Sequence, residues 1–139
     1  MTSINMPQRS GIIALLMLAT FVLSCDRKEP AKVEPVAAGK GGKATLLITT
    51  KHHGRAIDSA TIYIKYNEQN TPISYDDSVK VKNIDGKPVA TFSDLKAGKY
   101  YLLGDGWDST IRGDVRGGLP YTINEEKSYD VSLPVTEGD

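Results

Sequence analysis

The sequence predicts an all-β fold, a single two-sheet antiparallel sandwich of about seven strands over residues 43–139. A signal peptide (residues 1–24) and a flexible tether (residues 25–42) are predicted to precede it. Three observations predict the sandwich. Apolar and polar residues alternate in several short segments, which is typical of half-buried strands. Turn-forming residues recur about every ten positions, and no stretch of the folded part keeps a helical period.

Each predicted strand has one apolar face. In "KATLLITT", Ala44, Leu46 and Ile48 share a face because successive side chains on a strand point to opposite sides. The other residues predicted to face inward are Ile62, Ile64, Tyr66, Val79, Val81, Tyr129, Val131, Leu133 and Val135. The intervening turns include "HHGR", "IDGKP" and "GDGWD". Pro134 cannot donate to a strand ladder, so the last strand is expected to end there or to lie at an edge.

The N-terminal segment is typical of an export signal. Met1–Ser10 is polar and carries Arg9, and Gly11–Leu23 is a continuous apolar run. This run has the length of a signal-peptide core and falls short of the ~20 residues that span a bilayer. The chain has one cysteine, Cys25, directly after this segment, so no internal disulfide can form.

The residues before the cysteine, Val22-Leu23-Ser24-Cys25, resemble a bacterial lipobox. The resemblance implies cleavage before Cys25 and attachment of a diacylglycerol to its sulfur, with the new amino terminus often acylated too. Several acyl chains would hold the protein at a membrane, whereas a single chain binds only reversibly. We therefore expect a lipid-anchored protein of the bacterial cell envelope, at the outer membrane and either periplasmic or surface-exposed.

The segment Asp26–Gly42 mixes charges, prolines and small residues, and has almost nothing to bury, so it is expected to be a disordered tether.

The charge of the chain excludes two classes of partner. The formal net charge of the whole chain is zero. There is no basic field that would bind nucleic acid, and no polybasic membrane patch.

The segment Asp85–Asp108 resembles the centre of prealbumin-like (transthyretin-like) sandwich domains, which include carboxypeptidase regulatory-like and Cna-B-like modules. Those domains show Asp-Gly, a short strand with Phe, a Leu, then Gly-x-Tyr-x-Leu and a later Gly. The matching residues here are Asp85, Gly86, Phe92, Leu95, Gly98, Tyr100, Leu102 and Gly104 or Gly106. The resemblance implies a fold and does not by itself imply an activity.

No catalytic residues or cofactor are predicted. One prealbumin-like branch, the hydrolases acting on 5-hydroxyisourate, uses separated histidines, an arginine and a C-terminal Tyr-Arg-Gly-Ser tail. Here Asp130 stands where a histidine would be expected, and the sequence ends "VTEGD". We therefore expect a protein that is not an enzyme.

Two groups of residues are candidates for binding. His52 and His53 are adjacent in a predicted turn and are expected to be exposed, with a weak metal site as the alternative. Only an irregular turn could aim both rings at one ion. Trp107, with Asp105 and Asp108 in the segment Gly104–Asp114, is the candidate contact surface, because indole can stack on a sugar or a protein partner. The competing interpretation is a glycine-rich loop in which Trp107 covers one end of the sandwich.

The sequence therefore favours a membrane-anchored envelope lipoprotein whose sandwich is a non-catalytic binding, adhesion or assembly module. Its expected partners are the membrane, through lipid on Cys25, and another envelope protein or a glycan. The alternative is a periplasmic metal-binding or enzymatic protein that uses His52 and His53.

Overall fold

A computed structural model of the chain describes residues 37–138, which form ten strands. The predicted signal peptide, Cys25 and most of the predicted tether lie outside the described residues. The strands are β1 (Lys40–His52), β2 (Arg55–Ala56), β3 (Ser59–Tyr66), β4 (Asp77–Lys80), β5 (Lys82–Ile84), β6 (Lys87–Leu95), β7 (Gly98–Asp108), β8 (Gly113–Ile123), β9 (Ser128–Pro134) and β10 (Thr136–Glu137). In the part of the chain that the structure describes, no helix is long and apolar enough to cross a membrane.

The strands form two sheets, as the sequence predicts for a sandwich. The first sheet has the order β2-β1-β6-β5, with β9 also paired to β1, and the second has the order β10-β8-β7-β3-β4. Neighbouring strands run antiparallel, apart from the parallel pair of β1 and β9. Of the ten strands, seven have four residues or more, which agrees with the predicted number.

The core lies between the two sheets and contains the predicted apolar faces. One buried cluster contains Leu46 and Ile48 of β1, Ile62 and Ile64 of β3, and Phe92 of β6. The other members of this cluster are Ala38, Ala44, Ala90, Leu95, Tyr100, Leu102, Ile123, Val131 and Leu133. The alternation of apolar residues therefore predicted the inner faces of the strands correctly.

The folded domain begins before the predicted boundary at Lys43. Ala38 is buried, and its backbone N–H donates a hydrogen bond to Asn67 Oδ1 at 2.7 Å. The N–H of Gly39 donates to the Tyr100 hydroxyl at 3.0 Å. Residues 38–42, which the sequence analysis assigned to the tether, therefore belong to the folded domain.

Two hairpins have the turn chemistry that the sequence predicted. His53 and Gly54 join β1 to β2, and both have positive φ angles, 47° and 79°. Asp85 and Gly86 join β5 to β6 in the same way, with φ angles of 50° and 79°. Two successive left-handed residues match the right-handed twist of the flanking strands, which explains the glycine at the second position.

The segment Gly104–Asp114 is not the glycine-rich loop that the sequence suggested. Strand β7 continues through Asp108, and β8 begins at Gly113 after a short turn. The glycines permit close packing instead, because a Cβ on Gly106 would lie 2.7 Å from the Cβ of Ala60 on β3. Glycine in this stretch therefore marks a narrow space between neighbouring strands.

Core packing predicts the effect of truncating one isoleucine. Ile48→Ala should lower the free energy of unfolding by about 2–5 kcal/mol, because it removes buried methyl groups and leaves a cavity. The matched control is Ile73→Ala, since Ile73 is fully exposed and should change the free energy by less than ~0.5 kcal/mol. Urea unfolding measures both values, and equal effects of the two substitutions would contradict the packing described above.

Candidate functional site

The ends of β1, β7 and β10 meet at one end of the sandwich and form what we call the His52 site. This site consists of His52, Asp108 and Glu137. His52 is the last residue of β1, and its side chain is fully buried. Asp108 is the last residue of β7 and is 3% exposed. Its carboxylate Oδ2 lies 2.7 Å from His52 Nδ1, so the buried imidazole has one charged hydrogen-bonding partner.

The Asp108 carboxylate is held by several donors. The Thr110 hydroxyl and backbone N–H both donate to Oδ1, the N–H at 2.8 Å. Arg55 Nη2 donates to the Thr110 hydroxyl at 2.7 Å, which orients the hydroxyl hydrogen toward Asp108. The Thr110 hydroxyl, the His52 ring and the Thr110 N–H hold the pKa of the Asp108 carboxyl well below its ordinary value. Asp108 is therefore an anion that accepts the Nδ1 proton of His52.

The other ring nitrogen of His52 has no hydrogen-bonding partner. Among residues 37–138, His52 Nε2 and Thr50 Oγ1 are the buried side-chain polar atoms without one. The nearest carboxylate oxygen to Nε2 is Glu137 Oε1 at 3.5 Å, and that side chain is 55% exposed. Buried polar atoms in folded proteins nearly always have a partner, so this nitrogen requires an explanation.

The neighbouring histidine lies over the same ring. His53 is exposed, and its ring centroid is 4.1 Å from that of His52, with 26° between the ring planes. An extended strand would point the two side chains apart, but the positive φ of His53 brings them together. The expectation that both histidines are exposed is therefore wrong for His52, while the irregular turn needed to bring the rings together is present.

Glu137 reaches the site because the chain changes sheets after β9. The backbone N–H of Val135 still donates to Lys51 O of the first sheet at 2.9 Å. The next residues, Thr136 and Glu137, pair with Arg116 and Val115 of β8 in the second sheet. Sequence reasoning missed Glu137, because this contact depends on a sheet crossing that no local pattern encodes.

The predicted contact residues lie on two faces of the same strand. Trp107 and Asp105 point outward from β7 and are separated by one residue, whereas Asp108 points inward to His52. Trp107 is 44% exposed and separates two open grooves of about 440 and 390 Å³. Asp105 lines the first groove and Asp108 the second, while Trp107 lines both. The three residues therefore lie close together without forming a single cluster.

The middle of the outer face of β7 is covered. Tyr101 and Leu103 are less than a tenth exposed. The Tyr101 hydroxyl lies 3.0 Å from that of Thr71, and Tyr75 of the same segment packs 5.5 Å from the Tyr63 ring. The segment between β3 and β4 thus covers one half of this face and leaves the Trp107 half open.

Comparisons of the chain with protein-family models, with curated proteins and with solved structures found no match.

The ionised state of Asp108 predicts a pH-dependent stability. Asp108→Asn preserves the shape but removes the charge that accepts the His52 Nδ1 proton, so it should destabilise the fold at neutral pH. Because the pKa of Asp108 is lower in the folded than in the unfolded state, its stabilisation is present above the ordinary aspartate pKa of about 3.9. It should disappear progressively as the pH falls below that value.

Urea unfolding at several pH values between about 7 and 3 measures the difference in free energy of unfolding between the parent and Asp108→Asn. A metal chelator is present in all samples. Asp105→Asn, on the opposite face of the same strand, is the matched control. A stability difference between Asp108→Asn and the parent that stays constant over the whole pH range would contradict the assignment.

Proposed function

We propose that this protein is a lipid-anchored module of the bacterial envelope that binds a partner without catalysing a reaction. The lipobox-like residues Val22-Leu23-Ser24-Cys25 support the anchor, and the all-β sandwich supports a rigid binding scaffold. The prealbumin-like motif from Asp85 to Asp108 fits such a scaffold, since its Asp-Gly pair forms a hairpin turn and Phe92 and Tyr100 lie in the core.

The observation that carries the binding role is the exposed indole of Trp107 between two grooves. The backbone of Trp107 is paired on both sides, with Ser59 on β3 and with Asp114 on β8. Large aromatic side chains with a free face commonly anchor ligands and partners. The first groove adds carboxylates from Asp58, Asp105 and Asp114 and an ammonium from Lys80.

This combination of groups suits a glycan better than an apolar ligand. One sugar face can stack on the indole, while carboxylates accept hydrogen bonds from its hydroxyl groups. Another envelope protein is the other class of partner, and an aromatic residue such as Trp107 would also anchor it. The proposed surface therefore consists of Trp107 and the first groove.

The anchor is tested by replacing its cysteine. Cys25→Ala should release the protein from the membrane fraction and abolish labelling with palmitate, because the acylated sulfur is lost. Ser24→Ala is a suitable control, since a small residue remains before the cysteine. Unchanged membrane partitioning of Cys25→Ala would refute the lipoprotein assignment.

The contact surface is tested through the same tryptophan, which is the only one in the chain. Its fluorescence therefore reports directly on this surface, and titration with envelope glycans or with candidate envelope proteins should change its emission. Trp107→Ala removes this fluorophore, so binding by the variants is measured by calorimetry; the substitution should weaken binding by about 10-fold or more, as for a central aromatic contact. Ile73→Ala is the control, because it removes an exposed apolar side chain elsewhere. Binding that is equally strong in both variants would refute this surface.

A further inference from the structure

We propose that His52, His53 and Glu137 form a binding site for a divalent transition-metal ion such as zinc, and that Asp108 orients His52 for this role. The proposed metal site is a second site, distinct from the outward-facing Trp107 surface. It does not depend on the proposed envelope function.

The first argument is the state of the His52 ring. Its Nδ1 lies 2.7 Å from the Asp108 carboxylate, which fixes a proton on that nitrogen. In the neutral ring, Nε2 then carries a free lone pair. This nitrogen is buried and has no hydrogen-bonding partner. Histidines that bind metals typically donate their other N–H to a carboxylate in this way.

The second argument is the set of donors around that lone pair. One potential ligand atom from each of His52, His53 and Glu137 lies within 4.8 Å of the other two. Glu137 Oε1 lies 3.5 Å from His52 Nε2. With zinc–ligand bonds of about 2.0–2.1 Å, neighbouring donors in a tetrahedral site are about 3.3 Å apart. The Nε2–Oε1 pair therefore already has nearly this spacing.

The third argument is which parts of the site are fixed and which can adjust. His52 is held by burial and by Asp108, whereas His53 and Glu137 are exposed and can rotate to close the remaining distance. A rigid ligand with adjustable partners requires only small side-chain movements on binding. The exposed side also leaves a fourth position for water.

The donor set indicates the class of metal. Two imidazoles and one carboxylate are ligands typical of zinc and of other late first-row divalent ions. Calcium and magnesium prefer sites made entirely of oxygen ligands. We therefore expect selective binding of zinc over calcium and magnesium.

The position of Glu137 gives the ion a structural effect. Glu137 belongs to the two-residue strand β10, while His52 and His53 lie at the β1–β2 hairpin of the other sheet. An ion bound to all three side chains would join the two sheets at this end. Amide hydrogens of β10 should then exchange more slowly when zinc is bound.

The experiment is calorimetric titration of the full chain, purified without a polyhistidine tag, with zinc chloride. We expect one ion per chain, and no binding of calcium or magnesium under the same conditions. His53→Asn and Glu137→Gln should each weaken zinc binding by about 10-fold or more. Asparagine tolerates the positive φ of residue 53, so that variant should fold normally. Glu125→Gln is the control, because it neutralises an exposed glutamate elsewhere.

Nuclear magnetic resonance tests the role of Asp108 separately. The chain has only two histidines, so the imidazole nitrogen spectrum contains two ring systems. In the metal-free protein, the neutral His52 ring should carry its proton on Nδ1, and zinc should shift its Nε2 resonance. Asp108→Asn should alter the His52 tautomer populations and weaken zinc binding by about 10- to 100-fold.

Three results would overturn the proposal. The first is that the parent chain does not bind zinc. The second is that His53→Asn and Glu137→Gln both bind zinc as tightly as the parent chain. The third is a His52 Nε2 resonance that does not respond to zinc. None of these results affects the proposed membrane anchor or the Trp107 surface.

Discussion

The strict alternation of side chains along β1 is the constraint on which the rest of the structure depends. Each second residue from Ala44 to His52 points into the space between the sheets, and all five are buried. The first three are apolar and form the middle of the core. Because the strand continues with the same alternation, it also places Thr50 and His52 in the interior. A buried imidazole is costly without a partner, and Asp108 supplies one from the opposite sheet.

The hydrogen bond between His52 and Asp108 connects the two sheets at the end of the sandwich where the apolar core stops. The smaller apolar cluster of Ile57, Val115 and Val135 lies beside the crossing from β9 to β10. Gly117 permits that crossing, because a Cβ there would collide with the backbone of Pro134. The same crossing that completes the second sheet brings Glu137 to His52, so the fold itself assembles the three candidate ligands.

The sequence predicted the sandwich and its inner faces because they follow from local alternation, as in the strand that carries Ile62 and Ile64. The same rule would have predicted a buried His52 if the alternation in β1 had been followed beyond Ile48. The adjacent turn signal "HHGR" concealed this, since one histidine ends the strand and the other starts the turn. The extension of β7 to Asp108 was missed because glycines usually indicate loops, whereas Gly106 here permits close strand packing. Glu137 could not be predicted, because its position depends on strand pairing across the molecule.

The pleat of strand β7 places Trp107 and Asp108 on opposite faces of the strand. Trp107 and Asp108 are consecutive, yet one faces solvent and the other is buried against His52. A ligand on Trp107 would therefore approach from the outer side of the sheet, and an ion at His52 would be bound on the inner side. The backbone between them is held by pairing with β3 up to Trp107 and with β8 up to Asp108. Rigid pairing on both sides limits movement of this backbone, so any coupling between the two sites would act through the second groove, which Trp107, Asp108 and Thr110 line together.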